Sequence, residues 1–471
     1  MKSDILFFNP PQTKRGDSLQ NRALLWIASY LRKNGFRARI FYLNGNFKET
    51  IKQALNQYKP EHVAVSCKWY TNLYGAILVA KEVRRLNRKI RIITGGHTAT
   101  CFDQELLETG YFDFVVRGDA EMPLLSILNN EAPVNCSIIN NGRVEKYGIA
   151  CNKSPKKNEN YILSPPEQIL ENATEVLSGG NYIWTGKGCS RNCFYCGGSS
   201  RAQKKFFGKS KVAYRPRQDV LADISTLSGY SNYLMFDFAC GGQAEAYYLR
   251  LFRKIPHKQF KVNFFHWGMP SEKFINEISL TFSGVSLHLD TATLSENLRK
   301  ILSKKKLLKP FFTNRRLENV IKHCDIKRNI RISIENIAGL PGENEKQVKE
   351  HIAFSKYLSK KYISISDISY IPLSAEPGSL LRELHEKLNL NLCRNNFGDF
   401  VYLAKQAFQA NITYPFSDFF NKKPVKDCLF SPYGVYQKES DMKTSYLRSK
   451  VFRQAIAREL RANHIACLLY K

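Results

Sequence analysis

Three cysteines beside one aromatic residue form the most chemically informative stretch of the sequence. The segment WTGKGCSRNCFYCGG places Cys189, Cys193 and Cys196 in C-x3-C-x2-C spacing, with Tyr195 directly before the third cysteine. A structural zinc ion takes four ligands, and a disulfide would pair two of the thiols and leave the third alone. A cubane iron–sulfur cluster takes one thiolate per iron, so three thiolates would leave one iron open to an outside ligand. The spacing favours such a cluster; a zinc site with distant ligands and a redox-active group of thiols are the alternatives.

The other cysteines and the apolar runs indicate where the protein resides. Nine of the twelve cysteines are scattered singly, several in apolar runs such as VAVSC, which ends at Cys67. In an intracellular chain such residues are usually small buried hydrophobes. No stretch approaches the ~20 apolar residues that cross a bilayer, and the N-terminal apolar run meets Pro10 and Pro11 too early for a signal peptide. We therefore expect a soluble, cytoplasmic protein without a transmembrane segment.

The composition is that of a globular protein with a large basic excess. The chain has 471 residues, 43% of them hydrophobic, and a formal net charge of +30, which allows two or three domains with full cores. From Lys387 to Lys471 there are 14 Lys or Arg against 6 Asp or Glu, a net of +8. Such an excess attracts anions, so it favours an anionic small-molecule or peptide substrate. No DNA- or RNA-binding motif accompanies the charge, and nucleic acid is not expected as a partner.

The first 145 residues alternate strand-like and helix-like segments. The predicted strands are 4–10, 36–43, 62–67, 89–96 and 112–119, and the predicted helices include 23–35 and 74–87. Strand–helix alternation with short connections predicts a parallel, doubly wound α/β sheet. Ligands of such sheets bind beyond the carboxyl ends of the strands. There, the adjacent Gly95 and Gly96 would allow a backbone to approach a bulky ligand closely.

A second series of strands and helices follows a polar segment. Residues 146–177 carry prolines and no periodicity and are predicted to be an interdomain linker. Within 178–385 six strands are predicted, at 182–189, 233–240, 262–269, 284–290, 330–343 and 363–373. Six such units predict a partial (β/α)6 barrel, since a full eight-unit barrel takes ~250 residues. Residues 386–471 have a mainly helical pattern and are predicted to form a small C-terminal domain.

The cysteine motif in its context resembles the radical S-adenosylmethionine superfamily. In that family S-adenosylmethionine chelates the fourth iron, and the aromatic residue before the third cysteine, here Tyr195, lies near the adenine. An electron from the cluster cleaves the sulfonium and gives a 5′-deoxyadenosyl radical. The resemblance thus implies a 4Fe-4S cluster on Cys189, Cys193 and Cys196, S-adenosylmethionine as cosubstrate, and an electron donor such as flavodoxin or ferredoxin.

Further segments resemble the same family in chain order. The turn FDFACGGQAE resembles the glycine turn that contacts the methionine amino group, at Gly241 and Gly242, although a plain strand–helix turn would look similar. Asp290 in VSLHLDTATL stands where the family places a polar or acidic residue facing the ribose. Gly339 in IAGLPGE resembles the turn that lines the adenine, and PLSAEPGSLL resembles the turn after the sixth strand. These residues are the expected S-adenosylmethionine contacts.

The first domain is similar to the cobalamin-binding domain joined to many radical S-adenosylmethionine enzymes. The resemblance implies cobalamin contacts at the carboxyl ends of the strands: Ser66, Lys68, Trp69, Gly95, Gly96, His97 and Gly118. The domain lacks the D-x-H-x-x-G motif whose histidine binds cobalt, and its two histidines are His62 and His97. Bound cobalamin is therefore expected to have no protein histidine ligand. Lys68 and Trp69 are candidates to cover its lower face, with a surface tryptophan packed on a helix as the alternative.

Together the two resemblances cover residues 1–385 and imply a cobalamin-dependent radical methyltransferase similar to class B of that family. It would methylate an unactivated carbon or phosphorus, using one S-adenosylmethionine to methylate cobalamin and a second to form the radical. A radical rearrangement, cyclisation or ring contraction with the same cofactors is one alternative. An RNA- or polyanion-acting iron–sulfur protein with a degenerate cobalamin domain is another. Residues 386–471 match no motif and are expected to shape the substrate site.

Overall fold

The computed structural model of the chain has two compact units, each made from separate stretches of sequence. The structure describes residues 3–12, 22–148, 162–209, 211–239, 242–308, 311–373, 375–388, 390–392, 396–410 and 435–437. The first unit comprises Met1–Ser178, Arg201–Thr226 and Arg394–Pro415, and the second comprises Gly179–Ser200, Leu227–Cys393 and Phe416–Lys471. Two sequence segments that follow the cysteine motif thus fold with the N-terminal part of the chain.

The elements alternate along the chain. The strands are β1 (Ile5–Asn9), β2 (Ala38–Tyr42), β3 (His62–Ser66), β4 (Arg91–Gly95), β5 (Phe114–Val116), β6 (Cys136–Asn140), β7 (Arg143–Lys146), β8 (Asn181–Tyr182), β9 (Gly186–Lys187), β10 (Ala213–Tyr214), β11 (Tyr233–Ala239), β12 (Lys261–His266), β13 (Gly284–Ala292), β14 (Ile330–Ala338), β15 (Ile365–Pro372), β16 (Leu390–Leu392) and β17 (Val435–Gln437). The helices are α1 (Ala23–Lys33), α2 (Phe47–Tyr58), α3 (Leu73–Leu86), α4 (His97–Cys101), α5 (Asp103–Glu108), α6 (Glu121–Leu128), α7 (Pro166–Ile169), α8 (Ala173–Ser178), α9 (Ser200–Phe207), α10 (Arg217–Ser228), α11 (Gly242–Phe252), α12 (Glu272–Thr281), α13 (Glu296–Lys304), α14 (Asn314–Ile326), α15 (Glu345–Lys361), α16 (Leu380–Leu384) and α17 (Phe397–Ala410). A 3-10 helix, Tyr70–Asn72, precedes α3.

The first unit is built on a seven-stranded sheet of order β2-β1-β3-β4-β5-β6-β7. Its first five strands are parallel. Every residue of β1 and β3 is buried, as expected for parallel strands covered on both faces. The order 2-1-3-4-5 is the doubly wound arrangement in which ligands bind at the carboxyl edge, near the point where the strand order reverses. The predicted Rossmann-like α/β sheet is confirmed.

A β-hairpin extends this sheet beyond the predicted strands. β6 pairs antiparallel with β5, and β7 pairs antiparallel with β6. The turn consists of Asn141 and Gly142, which have positive φ values of 50° and 74°. An Asn-Gly pair between two strands is the strongest short hairpin signal. The sequence analysis missed this hairpin, although NNG at 140–142 carries the signal.

Residues 162–178 pack against the first unit, whereas the sequence predicted a linker over 146–177. Leu163, Ile169 and Leu170 are buried. Leu170 forms a parallel bridge with Ile40 in β2, and the guanidinium of Arg22 donates to the carbonyl of Val176 at 2.8 Å. The apolar residues of this stretch have no periodicity because they lie in two short helices and the turns around them. The described part of the predicted linker is therefore part of the first unit's core.

The second unit contains a six-stranded parallel sheet whose strands stand in chain order, β8-β11-β12-β13-β14-β15. Five of the six predicted strands are present as β11 to β15, and helices connect the successive strands from β11 onward. The first, predicted over 182–189, is wrong in its bounds: the sheet strand β8 ends at Tyr182, and β9 pairs with β10 in a separate two-stranded sheet. This is the arrangement of a partial (β/α)6 barrel. Along β13, Val285, Leu287 and Leu289 are buried while His288 and Asp290 on the other face are only partly so. This alternation is set by the period of two along a strand.

The C-terminal region is described in part. α17 coincides with the first helix predicted there, and it packs on α3 of the first unit through rings such as Phe408 against Tyr74 at 5.5 Å. β16 and β17 form an antiparallel pair in the second unit. The second predicted helix, within 445–464, lies outside the described residues. Among the residues that the structure describes, no helix has the length and apolar character to cross a membrane.

Candidate cofactor sites

In the second unit the three clustered cysteines lie in one loop after β9. Each of Cys189, Cys193 and Cys196 is partly exposed and is not in a disulfide. The backbone N–H of Arg191 donates to Sγ of Cys189, and that of Gly198 donates to Sγ of Cys196, both at 3.3 Å. Hydrogen bonds to sulfur of this kind stabilise thiolate ligands and tune iron–sulfur clusters. The loop thus brings three soft donors together and supports two of them with backbone N–H groups.

The thiols are not arranged as a ready-made ligand set for a single metal ion. Among the described residues, no group of three or more His, Cys, Asp or Glu side chains has that arrangement. A cluster of several irons takes one thiolate per iron, so its ligands need not converge on one point. Thiolate donors are also the ligands that iron–sulfur clusters select. The chemistry of the loop therefore fits a cluster.

The cysteine loop is fixed through Phe194, which is fully buried. Its backbone N–H donates to the carbonyl of Leu307 at 3.3 Å, and its carbonyl accepts from the N–H of Leu381 at 2.7 Å. The ring lies in an apolar cluster that includes residues of α13 and of the segment after β15. The N–H of Gly197 donates to Oε2 of Glu376 at 2.8 Å. The segment PLSAEPGSLL, singled out from the sequence, thus holds the loop in place.

Tyr195 and Asp290 meet beside the cysteines, as their family positions imply. Burial, and after it the negative charge of Asp290, raises the pKa of Tyr195 well above its usual value. Burial, and after it the charge of Glu335, raises the pKa of Asp290 to about 6. Burial and the nearby Glu376 likewise raise the pKa of the Cys196 thiol. These mutual effects place the aromatic ring, the thiols and the carboxyl groups in one neighbourhood.

The charge balance of this neighbourhood favours bound cations. The carboxyl groups of Asp290 and Glu376 stand near the Cys196 thiol and Glu335 stands near Asp290, whereas Arg191 is the base that acts on Asp290. Negative groups gathered in a buried place are stabilised by an opposite charge within a few ångströms. Iron and the sulfonium and ammonium groups of S-adenosylmethionine carry such charge. The residues present thus fit both groups.

The two glycine turns named from the sequence lie at strand ends. Gly339 directly follows β14 with φ of +81°, and its N–H donates to Oε2 of Glu343 at 2.6 Å. The turn is therefore closed by its own glutamate. Gly242 begins α11, whose first-turn N–H groups suit an anionic group. Gly241 lies outside the described residues.

In the first unit the predicted cobalamin contacts share one edge of the sheet. Ser66 and Gly95 are the last residues of β3 and β4, and Gly118 lies two residues after β5. The loop after β3 contacts the start of α4, where the N–H of Thr98 donates to the carbonyl of Lys68 at 3.1 Å. Because these strands are parallel, their carboxyl ends lie side by side. The structure therefore brings together the seven positions named from the sequence.

The glycine at position 96 is required by a contact within the protein, whereas the sequence predicted close approach to a ligand. Its φ is +118°, and a Cβ atom there would lie 2.7 Å from the carbonyl oxygen of Cys67 and 2.8 Å from Cα of Lys68. The backbone that approaches Gly96 is thus that of the neighbouring loop. Gly95 has ordinary contact with Val116. Packing of the protein on itself therefore explains Gly96, whereas nothing in its surroundings requires a glycine at position 95.

An aromatic group surrounds His97. Its ring stacks on Phe207, with centroids 5.4 Å apart and planes 20° apart, and lies 6.4 Å from the ring of Trp69. The ammonium of Lys68 stands 5.4 Å from the centroid of Trp69, so these two candidates for the lower face lie together. Phe207, which stands in the segment KKFFGKSK at 204–211, was not among the residues predicted from the sequence. The aromatic pair within that basic run was the available signal.

A buried donor without a partner also lies at this edge. Asn72 is 3% exposed; its Oδ1 accepts from the N–H of Trp69 at 3.3 Å, while its Nδ2 has no hydrogen-bond partner. A buried donor left unpaired is costly, and an added acceptor would stabilise it. The corrin ring of cobalamin bears amide side chains whose carbonyls are acceptors. Asn72 therefore fits that cofactor.

His62 lies at the amino-terminal end of β3, at the opposite end of the strands from the predicted cobalamin contacts. It is the first residue of β3 and is 5% exposed. Burial, followed by the charge of Arg91, lowers its pKa, and its Nε2 has no hydrogen-bond partner. Since the ligand edge is formed by the carboxyl ends, His62 is not placed to contact a ligand there. This agrees with the prediction that it begins a strand.

Comparisons with known proteins agree with both resemblances. Residues 12–128 match the family model described as the B12 binding domain. The structure of TsrM from Kitasatospora setae, a radical S-adenosylmethionine methyltransferase with tryptophan substrate and a SAM analogue bound, matches with a TM-score of 0.65 at 16% identity, over 82% of this chain and 76% of that one. OxsB, a cobalamin-dependent S-adenosylmethionine radical enzyme with aqua-cobalamin bound, matches with a TM-score of 0.62 at 12% identity, over 85% of this chain and 64% of that one.

The match to a curated relative covers a shorter part of this chain than the matches to the two solved structures. An uncharacterized methyltransferase of Pyrococcus horikoshii is 26% identical over 177 residues, which span 34% of this chain and 36% of that protein. The chain thus matches about a third of that relative's length. The resemblance stated from the sequence is confirmed by the B12-binding model in the first domain and, for the remainder, by a fold shared with cobalamin-dependent radical S-adenosylmethionine enzymes.

Proposed function

We propose that this chain is a cobalamin-dependent radical S-adenosylmethionine methyltransferase acting on an unactivated carbon or phosphorus. The observation that carries the proposal is the loop of Cys189, Cys193 and Cys196 beside Asp290, in a chain whose first domain matches the B12-binding model. When bound, the cluster and S-adenosylmethionine supply radical chemistry and cobalamin supplies methyl transfer. The protein's own part is to bind these groups, orient them and exclude water.

The second unit would hold the cluster and its cosubstrate. The three thiols bind iron, and the backbone donors on Cys189 and Cys196 stabilise the thiolates. Asp290, with its pKa raised to about 6, is ionised at neutral pH and accepts hydrogen bonds from hydroxyl or ammonium groups. Tyr195 stays a neutral phenol because its pKa is raised, so its ring offers an uncharged face to the adenine.

The first unit would hold cobalamin without a histidine on the cobalt. Lys68 and Trp69 stand together in the loop after β3 and would cover the lower face of the bound cofactor. His97 stacks on Phe207, and this packing holds the imidazole against another ring. A low-potential donor such as flavodoxin or ferredoxin would deliver the electron, and the basic region from Lys387 onward favours an anionic substrate.

The Cys196→Ala variant tests the cluster assignment. Removing one of three thiolates leaves an iron without its ligand, so we expect loss of most bound iron and sulfide and at least a ~100-fold lower yield of 5′-deoxyadenosine, because chemistry supplied by a cofactor is lost with it. The measurement is anaerobic reconstitution followed by iron analysis and product chromatography. Cys101→Ala, a partly exposed cysteine outside the loop, is the matched control. Full retention of 5′-deoxyadenosine by Cys196→Ala would falsify the proposal.

Methylation and rearrangement are distinguished by the products they form. Methylation gives S-adenosylhomocysteine together with a product heavier than its substrate by one methylene. Isotope labelling of the S-adenosylmethionine methyl group follows that carbon into the product. A product isomeric with its substrate, formed without S-adenosylhomocysteine, would replace methylation by rearrangement and leave the cofactor assignment unchanged.

A further inference from the structure

We propose that Phe207 is a cobalamin-positioning residue that completes the site from outside the B12-binding domain. The matched domain ends at residue 128, whereas Phe207 belongs to the stretch Arg201–Thr226, which folds with the first unit. This inference rests on the proposed function, because it assumes that cobalamin binds at the carboxyl edge of the first sheet. It assigns a further residue to that edge.

The position of Phe207 is defined by two of the predicted cobalamin contacts. Its ring stacks on His97, and its Cδ1 would lie 3.5 Å from a Cβ atom built on Gly118. His97 follows β4 and Gly118 follows β5. Phe207 therefore lies across the carboxyl ends of two neighbouring strands, where a doubly wound sheet binds its ligand. A half-buried ring there offers apolar surface to a large flat cofactor.

Phe207 is held in place by charge pairs of the same unit. Nζ of Lys209 lies 2.5 Å from Oδ1 of Asp119, the residue after Gly118, and both side chains are largely buried. Further along the segment, Arg215 and Asp223 form a fully buried pair at 2.7 Å. The segment is thus anchored at residue 209, two residues after Phe207, and again at residues 215 and 223. The contact of this segment with the carboxyl ends of the strands is therefore part of the fold of the first unit.

Asn72 points independently to a ligand at the same edge. It lies in the loop that carries Lys68 and Trp69, it is buried, and its Nδ2 donor has no partner. An apolar ring and an unpaired amide donor suit a cofactor with a flat macrocycle and peripheral amide carbonyls. Inorganic phosphate alone would use neither feature well, because it is recognised by charge and backbone donors.

The experiment compares two adjacent phenylalanines in the full-length protein. Hydroxocobalamin is titrated into wild type, Phe207→Ala and Phe206→Ala, and the dissociation constant is read from the absorbance change. We expect Phe207→Ala to bind about tenfold more weakly, which corresponds to about 1.4 kcal/mol and lies within the range of aromatic contacts. Phe206→Ala is expected to bind as wild type does. Phe207→Leu, which keeps apolar volume but no ring, is expected to fall between them and serves if the alanine variant does not fold.

Asn72→Asp gives the second arm. It keeps the acceptor for the Trp69 N–H but replaces the unpaired donor by an acidic oxygen, and we expect weaker hydroxocobalamin binding and lower thermal stability, because a buried carboxylate without a partner is costly. Dissociation constants of the Phe207 variants equal to or below that of wild type would overturn the inference and leave the proposed function intact. A wild-type protein that does not bind hydroxocobalamin would overturn both.

Discussion

At the scale of single residues, His351 is a buried titratable group with a clear physical consequence. It is 3% exposed, and its Nδ1 accepts a hydrogen bond from the N–H of Leu294 at 3.1 Å. Burial, followed by the charge of Arg299, lowers its pKa from 6.5 to about 3. The folded second unit therefore holds a neutral imidazole. It holds the loop after β13, which follows Asp290.

This histidine predicts a pH dependence of stability. Because its pKa is lowered on folding, the unfolded chain binds the proton more readily between pH 3 and 6.5. Its stabilising contribution is complete above pH 6.5 and is lost as the pH falls through that window. Between pH 7.5 and 5.5 we expect wild type to lose about 1.4 kcal/mol more than His351→Gln. Thermal unfolding of both proteins at the two pH values measures this difference, and parallel behaviour would contradict it.

Asp290 shows how residue chemistry depends on neighbours from elsewhere in the fold. Asp290 lies opposite Glu335 on the neighbouring strand β14, and its charge helps to raise the pKa of Tyr195 in the cysteine loop. The family resemblance named Asp290 from one position in a strand. Its raised pKa arises from burial and from Glu335, 45 residues further along the chain by numbering (335 − 290).

At the scale of elements, one carboxylate ties three segments of the first unit together. Asp223 in α10 is fully buried; it accepts from Nε1 of Trp26 at 2.7 Å, from the N–H of Leu163 at 2.8 Å and from Arg215 at 2.7 Å. A buried ion pair contributes little net stability, but loss of one partner leaves the other charge uncompensated. The interaction links α1, the stretch before α7 and α10. The folding of 201–226 with the first unit therefore depends on it.

Asp223→Ala is accordingly expected to destabilise the protein by about 3–5 kcal/mol, because it strands the Arg215 guanidinium in the core. Asp219→Ala, on the same helix and without these contacts, is the control and is expected to change stability by less than about 0.5 kcal/mol. Limited proteolysis of the 201–226 segment and thermal unfolding measure the effect. Equal stability of the two variants would show that the network does not anchor the segment.

At the scale of the whole molecule, the net charge of +30 calls for a test against polyanions. The local surroundings of the cysteine loop are acidic, because Asp290 and Glu376 act on Cys196 and Glu335 acts on Asp290. The basic excess is therefore not a property of that neighbourhood. We attribute it to surface that attracts anions without selecting them.

We expect added RNA to bind through its negative charge alone, without preference for sequence. Binding by charge releases counterions, so affinity falls steeply with salt and differs little between sequences. Total RNA should leave the yield of 5′-deoxyadenosine unchanged within about twofold, because nonspecific phosphate contacts carry no catalytic role. The measurement is product yield with and without RNA, and binding at two salt concentrations. Stimulation by one RNA that persists at high salt would favour the polyanion-acting alternative.

Much of the architecture was predictable because its signals are local. The buried runs of β1 and β3, the alternation of β13 and the three thiols between 189 and 196 are each encoded within a few consecutive residues. In the second sheet the strands stand in chain order, as expected for short helical connections. The β6–β7 hairpin was also encoded locally, in Asn141 and Gly142, but no strands were predicted there.

The sequence by itself therefore determined the two α/β sheets, the thiol spacing and the edges at which ligands would bind. Only the tertiary structure decided that the first unit is assembled from three separate stretches of chain, and that Phe207, Asn72 and Asp223 matter to it. The physical reason is distance along the chain: Trp26 and Asp223 are 197 residues apart, and no local periodicity records such a contact. Burial, unpaired donors and shifted pKa values arise only when folding brings residues that are distant in sequence into contact.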